Sequence, residues 1–269
     1  MSKIEVRDLT VEYGEKDKTL ALDHVSFNVE AGEFVTIIGS SGCGKSTLLS
    51  VLEGLHEPTS GQVLIDGNPI KGPGPERAVV FQHYSLFPWQ TALGNVAFGI
   101  KQSHKQLSRK ECRKRAAEVL RKVGLEGFGG KYPNQLSGGM QQRVAIARAL
   151  AADSDILLMD EPFGAIDAKN RTLLQDFLID IWEGEPTQEK KTVLFVTHDI
   201  DEAIFLADRI ILMSSHPGQV YEEYRVPLPR PRKRAEIMDD PEYAKFRSVL
   251  YDALYNKAID ASHLEEAAL

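Results

Sequence analysis

The feature that most constrains the fold is a glycine-rich loop at residues 39–46, which fits the pattern G-x-x-x-x-G-K-[ST]. The run before it, 33–38, is rich in β-branched and aromatic residues and predicts a buried strand. The run after it, 47–55, predicts a helix that ends near Gly54. A strand, this loop and a helix, in that order, form the context in which the pattern binds nucleotide phosphates. A glycine-rich turn without a ligand is disfavoured by the flanking strand and helix.

The loop supplies each group that a polyphosphate needs. Its glycines let successive backbone N–H groups point at phosphate oxygens, and the helix N-terminus favours an anion. Lys45 is expected to neutralise the β- and γ-phosphates, and the Ser46 hydroxyl to ligate Mg²⁺. Cys43 is interpreted as a tolerated small residue and not as a nucleophile. The predicted nucleotide-contacting residues of the loop are Gly39, Ser40, Ser41, Gly42, Cys43, Gly44, Lys45, Ser46 and Thr47.

A pair of carboxylates follows a second apolar run. Residues 156–159 predict a strand, and Asp160, Glu161 and Pro162 come directly after it. A strand end would hold Asp160 rigidly as a ligand of Mg²⁺. Glu161, one residue further, is predicted to be the general base that polarises the attacking water. A carboxylate pair after an apolar run is most often a solvated turn, so the prediction depends on the phosphate loop.

Two more predicted strands end in polar side chains. The run 193–197 is followed by His198, and the run 79–81 by Gln82. In a parallel sheet the carboxyl ends of the strands share one edge, which is where Lys45 and Asp160 are also expected. His198 is predicted to hold the γ-phosphate and orient Glu161, although a lone histidine after a strand is usually structural. The amide of Gln82 is predicted to reach Mg²⁺ or water.

A second glycine motif stands before a strongly helical stretch. Residues 136–143 read LSGGMQQR, and the helix is predicted over 140–152. Ser137 is placed to cap this helix, and Gly138 and Gly139 would let a phosphate approach its first amides. Taken alone, the motif would favour a plain capped helix.

The order and spacing of these motifs resemble ATP-binding cassette (ABC) ATPases over about residues 1–215. The resemblance implies an α/β fold: a RecA-like P-loop NTPase core with an antiparallel β portion and an inserted helical subdomain. The domains expected on this basis are a nucleotide-binding core at 1–82 and 155–215, a helical subdomain with the signature motif at 83–154, and a C-terminal extension at 216–269. The implied cofactors are ATP and Mg²⁺.

The resemblance also implies roles that the residues alone do not give. Tyr13 would stack on adenine, and the stretch 163–167 would carry Asp167 across a dimer interface. The phosphate at Ser137, Gly138 and Gly139 would belong to ATP held by another copy of the chain. Two ATP molecules would therefore lie between two cassettes in a head-to-tail homodimer.

The stretch 72–99, with DEPFGAID and the later SSHPGQV, looks like the ATPase subunits of bacterial nitrate, sulfonate and taurine importers. Such a subunit would act with a separate integral-membrane permease and, through it, an extracytoplasmic solute-binding protein. The apolar segment 86–89 (Leu-Phe-Pro-Trp) would receive the permease's coupling helix, with core packing as the alternative. The rival functions are an importer of thiamine precursors or another small solute, an exporter cassette, a non-transport ABC protein acting on nucleic acid or ribosomes, and a subunit that binds ATP without hydrolysing it.

Composition limits the remaining possibilities. The 269 residues carry a net charge of −7, which does not support a general nucleic-acid surface. Two cysteines fit a reduced compartment. The start MSKIEVRDLTVEYG lacks a hydrophobic signal segment, and no run approaches the roughly 20 apolar residues that span a bilayer. We therefore expect a peripheral protein on the cytoplasmic face of the inner membrane.

Two further segments have recognisable patterns. Ser108 and Glu111 form a capping-box pattern before a helix whose lysines and arginines favour a solvated face, with anionic lipid as the alternative. After a last strand at 218–226, alternating prolines and arginines predict an extended, polar segment. The region 240–269 is predicted to be helical, with its apolar residues packed on the core: Phe246, Val249, Leu250 and Leu254.

Overall fold

The structure, a computed structural model, describes residues 2–14, 16–82, 84–164, 166–183 and 190–257. The strands in these ranges are β1 (Ser2–Tyr13), β2 (Thr19–Glu30), β3 (Phe34–Gly39), β4 (Ser60–Ile65), β5 (Asn68–Pro69), β6 (Arg77–Val80), β7 (Ile156–Asp160), β8 (Thr192–Val196), β9 (Arg209–Ser214) and β10 (Gln219–Arg225). The α-helices are α1 (Lys45–Leu52), α2 (Ala92–Ser103), α3 (Arg109–Lys122), α4 (Gly138–Ala151), α5 (Ala168–Glu183), α6 (Ile200–Leu206), α7 (Arg234–Met238) and α8 (Pro241–Asp252). A 3₁₀ turn at Pro133–Gln135 and a π-helical turn at Ala253–Lys257 complete the elements of these ranges.

The chain divides into two compact units. The first comprises residues 1–73 and 192–269, and the second comprises residues 74–191. The domain boundaries expected from the sequence were placed by motifs and by predicted helices, whereas the two units are defined by their compactness in space. The expected boundaries therefore stay a prediction. The described helices α2, α3 and α4 all fall within the stretch 83–154 that was expected to be helical.

The first unit contains an antiparallel sheet in the order β2-β1-β4-β5. Strands β1 and β2 alternate between buried apolar and more exposed residues, as a sheet with one covered face requires. In β1 the buried residues are Ile4, Val6, Leu9 and Val11. The antiparallel portion expected from the sequence is thus confirmed.

The same unit also contains parallel strands in the order β8-β3-β9, with β10 antiparallel to β9. Every residue of β3 is buried, because parallel strands are covered on both faces. The strand start is anchored by Arg209, which donates to both carboxylate oxygens of Glu33 at 2.8 and 3.0 Å. The Glu33 carboxylate, through its hydrogen bond, raises the pKa of the Arg209 guanidinium. This pair ties β9 to the turn that leads into β3 and the phosphate loop.

The second unit combines the parallel pair β6 and β7 with helices α2 to α5. The predicted capping box of α3 is confirmed: the Ser108 side chain accepts from the Glu111 amide, and the Glu111 carboxylate accepts from the Ser108 amide. Residues at helical spacing, Cys112, Ala116 and Leu120, are buried. None of the helices in the described ranges of either unit combines the length and apolarity needed to cross a bilayer.

The C-terminal segment departs from the sequence prediction at two points. It was expected to be extended and polar between β10 and the last helix, but the Arg232 side chain is buried, only 6 % exposed. The predicted helix is present as α8, and Val249 faces solvent at 45 % exposure because it lies off the buried stripe. The buried members of the predicted apolar face are Phe246, Leu250 and Leu254. The predicted helical residues 258–269 lie outside the described residues.

Candidate nucleotide-binding site

The phosphate loop joins the end of β3 to the start of α1. A Cβ atom at Gly39 would lie 2.5 Å from the Cys43 sulfur and 2.8 Å from the Met213 carbonyl oxygen, so only glycine fits there. Gly42 and Gly44 both have a left-handed backbone, with φ of 82° and 86°. Other residues adopt this conformation at a cost of about 1–2 kcal/mol, which explains why glycines occupy these positions. The predicted strand, loop and helix are therefore present, with α1 beginning at Lys45.

Lys45 lies inside the loop that it serves. Its side chain is buried, and its ammonium group donates to the carbonyl oxygens of Gly39 and Ser40, both at 2.8 Å. These acceptors are neutral, so the positive charge is not cancelled within the loop. The ammonium also lies 3.6 Å from the Cys43 sulfur.

Cys43 has a poorly reactive thiol in this position. The residue is fully buried, and desolvation raises the pKa of its thiol above the ordinary value, although Lys45 acts in the opposite direction. A raised pKa keeps the sulfur protonated at neutral pH, and a protonated thiol is a poor nucleophile. The side chain fills the space beside Gly39, which agrees with its interpretation as a small packing residue.

The loop fits a polyphosphate. A Cβ atom at Gly42 would meet nothing within 4 Å, so the space beside this glycine is open. The Ser46 side chain is exposed at the first turn of α1, where an oxygen ligand could meet a metal ion. A cation, backbone N–H groups at a helix N-terminus and a hydroxyl are the donors that a magnesium-bound phosphate chain requires.

Tyr13 lies at the end of β1 and is 41 % exposed. Its hydroxyl is 3.4 Å from the Thr47 hydroxyl oxygen, and its ring contacts the His56 ring with 5.0 Å between centroids. These contacts place an exposed aromatic face beside the first turn of α1. The histidine partner was not expected from the sequence, where His56 follows the helix without any motif.

His198 follows β8 after one residue, as predicted. Thr197 is buried and its hydroxyl accepts from the Asp199 amide at 3.0 Å. The Asp199 carboxylate in turn caps α6 by accepting from the Glu202 amide at 3.1 Å. His198 itself is exposed. The residues on both sides of the exposed His198 are thus fixed by hydrogen bonds.

In the second unit, the polar residues that follow β6 and β7 lie together. These strands are parallel neighbours, and the Gln82 amide nitrogen is 3.5 Å from the Glu161 carboxylate. This confirms the expectation that their carboxyl ends meet at one edge. Glu161 has a left-handed backbone with φ of 43°, a conformation that costs a non-glycine residue about 1–3 kcal/mol. Strain of this kind is found at functional sites more often than elsewhere, and it sets the direction in which the carboxylate leaves β7.

The signature motif begins α4. Ser137 caps the helix by accepting from the Met140 amide at 3.3 Å, as predicted. A Cβ atom at Gly138 would lie 2.6 Å from the Tyr84 hydroxyl, so glycine permits this close contact. The serine is exposed, and the two glycines are partly exposed, which leaves the first amides of α4 accessible.

Asp167 lies just before α5, the helix that follows the carboxylate pair. Its carboxylate accepts from the amide of Asn170 at 3.1 Å and from the Asn170 side chain at 2.6 Å. These hydrogen bonds, chiefly the one from the Asn170 side chain, lower the pKa of Asp167 and keep it ionised. Of the stretch 163–167, Ala165 lies outside the described residues.

Asn95 is a positioning residue that the sequence analysis missed. It is fully buried in α2 and ties down the aromatic segment: its carbonyl oxygen accepts from the Phe87 amide at 2.9 Å, and its amide donates to the carbonyls of Phe87, Gln90 and Thr91. Phe87 is held further by Arg148, whose guanidinium carbon lies 5.2 Å from the ring centroid. The sequence did contain a clue to this role, because Asn95 is the polar residue in the otherwise apolar helix sequence ALGNVAFGI.

One large aromatic side chain of the segment 86–89 is exposed to solvent. Trp89 is 72 % exposed, although its ring centroid lies 5.6 Å from that of Phe87. Phe87 therefore packs against its neighbours while Trp89 is exposed, and the role of this segment as a permease contact stays a prediction.

The predicted site residues are distributed over both units. The first unit holds Tyr13, the loop residues 39–47 and His198, and the second holds Gln82, residues 137–139, Asp160, Glu161 and Asp167. The structure brings Gln82 and Glu161 together within the second unit. The roles of all these residues in one reaction stay a prediction.

Comparison with known proteins identifies the family. The family model described as ABC transporter matches residues 22–164, a stretch that includes both glycine motifs and the carboxylate pair. The chain belongs to the ABC transporter family. Over 239 residues it is 48 % identical to the nitrate import ATP-binding protein NrtD of Synechococcus elongatus, covering 88 % of this chain and 86 % of the relative. It is also 48 % identical over 237 residues to the bicarbonate transport ATP-binding protein CmpD of Synechocystis, covering 88 % and 83 %.

Solved ABC structures have the same fold. A dimeric bacterial ABC transporter cassette superposes with a TM-score of 0.76 and 39 % identity, covering 84 % of this ABC protein and 100 % of the cassette. A dimer in a post-hydrolysis state, bound to ADP and Pi, superposes with a TM-score of 0.75 and 38 % identity over the same shares. The predicted family, fold class and enzyme class are confirmed: this is an ABC-type ATPase that binds ATP, similar to nitrate-import ATPase subunits.

The two left-handed glycines of the loop give a matched test of the local fold. At Gly44 a methyl group would lie 2.9 Å from the Ala21 carbonyl oxygen and 2.5 Å from the buried Leu22 side chain, whereas at Gly42 it would meet nothing. Gly44→Ala should therefore lower the free energy of unfolding by about 1–3 kcal/mol more than Gly42→Ala, because only Gly44→Ala adds overpacking to the backbone strain. Urea denaturation measures both values, and equal losses would contradict the packing described for this loop.

Proposed function

We propose that this ABC ATPase powers a bacterial importer of a small anionic or organic solute through a separate membrane subunit. The observation that carries hydrolysis is the Glu161 carboxylate, which follows a buried strand on a strained backbone beside Gln82. The observation that favours import is the similarity to ATP-binding proteins named for nitrate import and bicarbonate transport.

Binding of ATP is assigned to the first unit. Lys45 would exchange its two carbonyl acceptors for oxygens of the β- and γ-phosphates, and the α1 amides would supply further donors. Such a charge-assisted contact contributes about 1.5–3 kcal/mol, more than either bond to a neutral carbonyl. Tyr13, exposed beside the first turn of α1, would stack on the adenine ring.

Hydrolysis is assigned to residues that follow strands. Ser46, Gln82 and Asp160 supply the hard oxygen ligands that suit Mg²⁺. When bound, this ion would neutralise charge on the phosphate oxygens. Glu161 would accept a proton from the attacking water, and His198 would hold the γ-phosphate and orient Glu161.

The signature motif is assigned to ATP held by a second copy of the chain. The exposed Ser137 and the accessible amides of α4 would bind a phosphate of one ATP molecule. Lys45 of the same chain would bind the other ATP molecule. The dimers seen in two structures of one similar cassette support this arrangement. In the head-to-tail homodimer that we propose, Asp167 remains ionised near the interface.

Contact with the permease is assigned to the aromatic segment 86–89. Asn95 and Arg148 hold this segment in place, so the exposed Trp89 is presented on a rigid support. A large exposed aromatic on a fixed loop is typical of a protein interface. The proposed location is the cytoplasmic face of the inner membrane, and an extracytoplasmic binding protein would deliver the solute.

Replacing the proposed base tests the hydrolysis mechanism. Glu161→Gln keeps the shape of the side chain but removes its basicity, so steady-state ATP hydrolysis should fall about 100-fold or more while ATP still binds. Glu118→Gln, on the exposed face of α3, serves as the control for the amide substitution. Hydrolysis by Glu161→Gln within a few-fold of the parent would show that Glu161 is not the base.

Replacing the loop lysine tests the binding role. Lys45→Ala should weaken ATP binding by roughly ten- to a hundredfold.

A charge at the signature motif tests the dimer. In the Glu161→Gln background, ATP and Mg²⁺ should convert monomers to dimers, and Ser137→Asp should prevent this because its carboxylate repels the partner's phosphate. Aspartate caps helices as well as serine does, so α4 should stay intact. The control is Ser108→Asp, at the N-cap of α3, which should still dimerise. Light scattering gives the mass of each variant, and ATP-dependent dimers of Ser137→Asp would contradict the assignment.

A further inference from the structure

The C-terminal segment is bonded to both ends of α6, the helix that follows His198. At the C-terminal end, the buried Arg232 donates to the carbonyl oxygens of Ile204, Phe205 and Ala207 at 3.1, 3.2 and 2.5 Å. The last carbonyls of a helix have no partner within the helix, so a guanidinium with several donors satisfies them together. Arg232 also donates twice to the Leu228 carbonyl oxygen, which fixes the guanidinium in the segment that carries it.

A second arginine connects the same helix end to β3. Arg230 donates to the Leu206 carbonyl at 2.5 Å and to the Asp208 carboxylate at 2.9 Å. The other oxygen of Asp208 accepts from the Phe34 amide at 3.1 Å, at the start of β3. The end of α6 is therefore held relative to the strand that leads into the phosphate loop.

The N-terminal turn of α6 is held by α8. The Asp201 carboxylate accepts from the Tyr243 hydroxyl at 2.7 Å and from the Arg247 guanidinium at 2.5 and 3.3 Å. Asp201 is three positions after His198. The two intervening residues offer little freedom, because Asp199 is bonded to Thr197 on one side and caps α6 on the other.

We propose that Arg232, Tyr243 and Arg247 are positioning residues for ATP hydrolysis, acting through α6 on His198. Together they form a C-terminal clamp that fixes the helix at both ends and so sets where the exposed imidazole stands. A misplacement of about 1 Å can cost as much as a hundredfold in rate. Binding of the nucleotide is assigned mainly to the loop 39–47 and Tyr13, which lie outside α6. The inference rests on the proposed function, since it assigns these residues to the reaction in which His198 takes part.

The clamp is tested by removing its three bonds to Asp201. Tyr243→Phe/Arg247→Ala should lower kcat for ATP hydrolysis by about tenfold and leave the Kd for ATP unchanged. The matched control, Tyr251→Phe/Lys245→Ala, changes exposed residues of the same helix and should leave kcat unchanged. Arg247→Lys, which keeps a cationic donor, should recover most of the rate relative to Arg247→Ala.

A mutant cycle with His198 separates positioning from simple stabilisation. In a His198→Ala background, where single-turnover assays over hours follow the slow reaction, the clamp variant should cause no further loss, because residues that act as a unit are not additive. A further tenfold loss there, an unchanged kcat in the parent background, or parallel losses of kcat and ATP affinity would each overturn the clamp. A parent whose hydrolysis does not depend on Lys45 would overturn the proposed function itself. If hydrolysis depends on Lys45 but the clamp variant does not change its rate, only the clamp is overturned.

Discussion

The structure depends on how a short loop holds a buried cation at the start of a helix. Lys45 needs carbonyl oxygens around it to be buried at all, since an unpaired ammonium group in the interior is strongly disfavoured. The loop can supply those oxygens only by turning sharply, and Gly42 and Gly44 make the turn with left-handed backbones. The strands beside β3 and the anchored pair of Arg209 and Glu33 keep the loop's starting point fixed. The charge that remains suits the loop to the proposed binding of an anion.

The same principle governs the residues that follow other strands. A parallel strand ends abruptly, so the residue after it has a well-defined position but is free of the sheet's own hydrogen bonds. Gln82 and Glu161 follow two such neighbours and meet there. His198 follows another, and its flanking residues are fixed by Thr197 and by the cap of α6. Rigid strands thus deliver flexible polar side chains to defined places, which suits a reaction that consists mainly of positioning and charge stabilisation.

Local sequence patterns made much of the fold and of the candidate site predictable. The phosphate loop, the caps at Ser108 and Ser137 and the strand before Asp160 all depend on neighbours in sequence, and each was found where it was expected. The contacts that were missed depend on how separate segments pack against each other. Asn95 bonds a loop that precedes its own helix, and Arg232 satisfies carbonyls about 25 residues earlier. A buried arginine in a proline-rich segment has the composition of a solvated linker, so only the fold reveals its partners.

The proposed roles of the ATPase and the membrane subunit agree with where the polar and apolar groups lie. Lys45 is buried within its loop, whereas the aromatic segment 86–89 keeps Trp89 exposed on a support fixed by Asn95. An ATPase that drives transport must transmit its state to a membrane protein, and an exposed aromatic on a rigid loop suits that contact.

Affinity purification can show whether this ATPase works as a subunit of a membrane importer. The tagged chain would be recovered from detergent-solubilised membranes beside a Trp89→Ala variant, and the proteins that accompany each would be quantified by mass spectrometry. We expect a polytopic membrane protein in equal amount with the parent and much less of it with the variant. A chain recovered only from the soluble fraction, or with ribosomes, would contradict the transport role and leave the ATPase assignment standing.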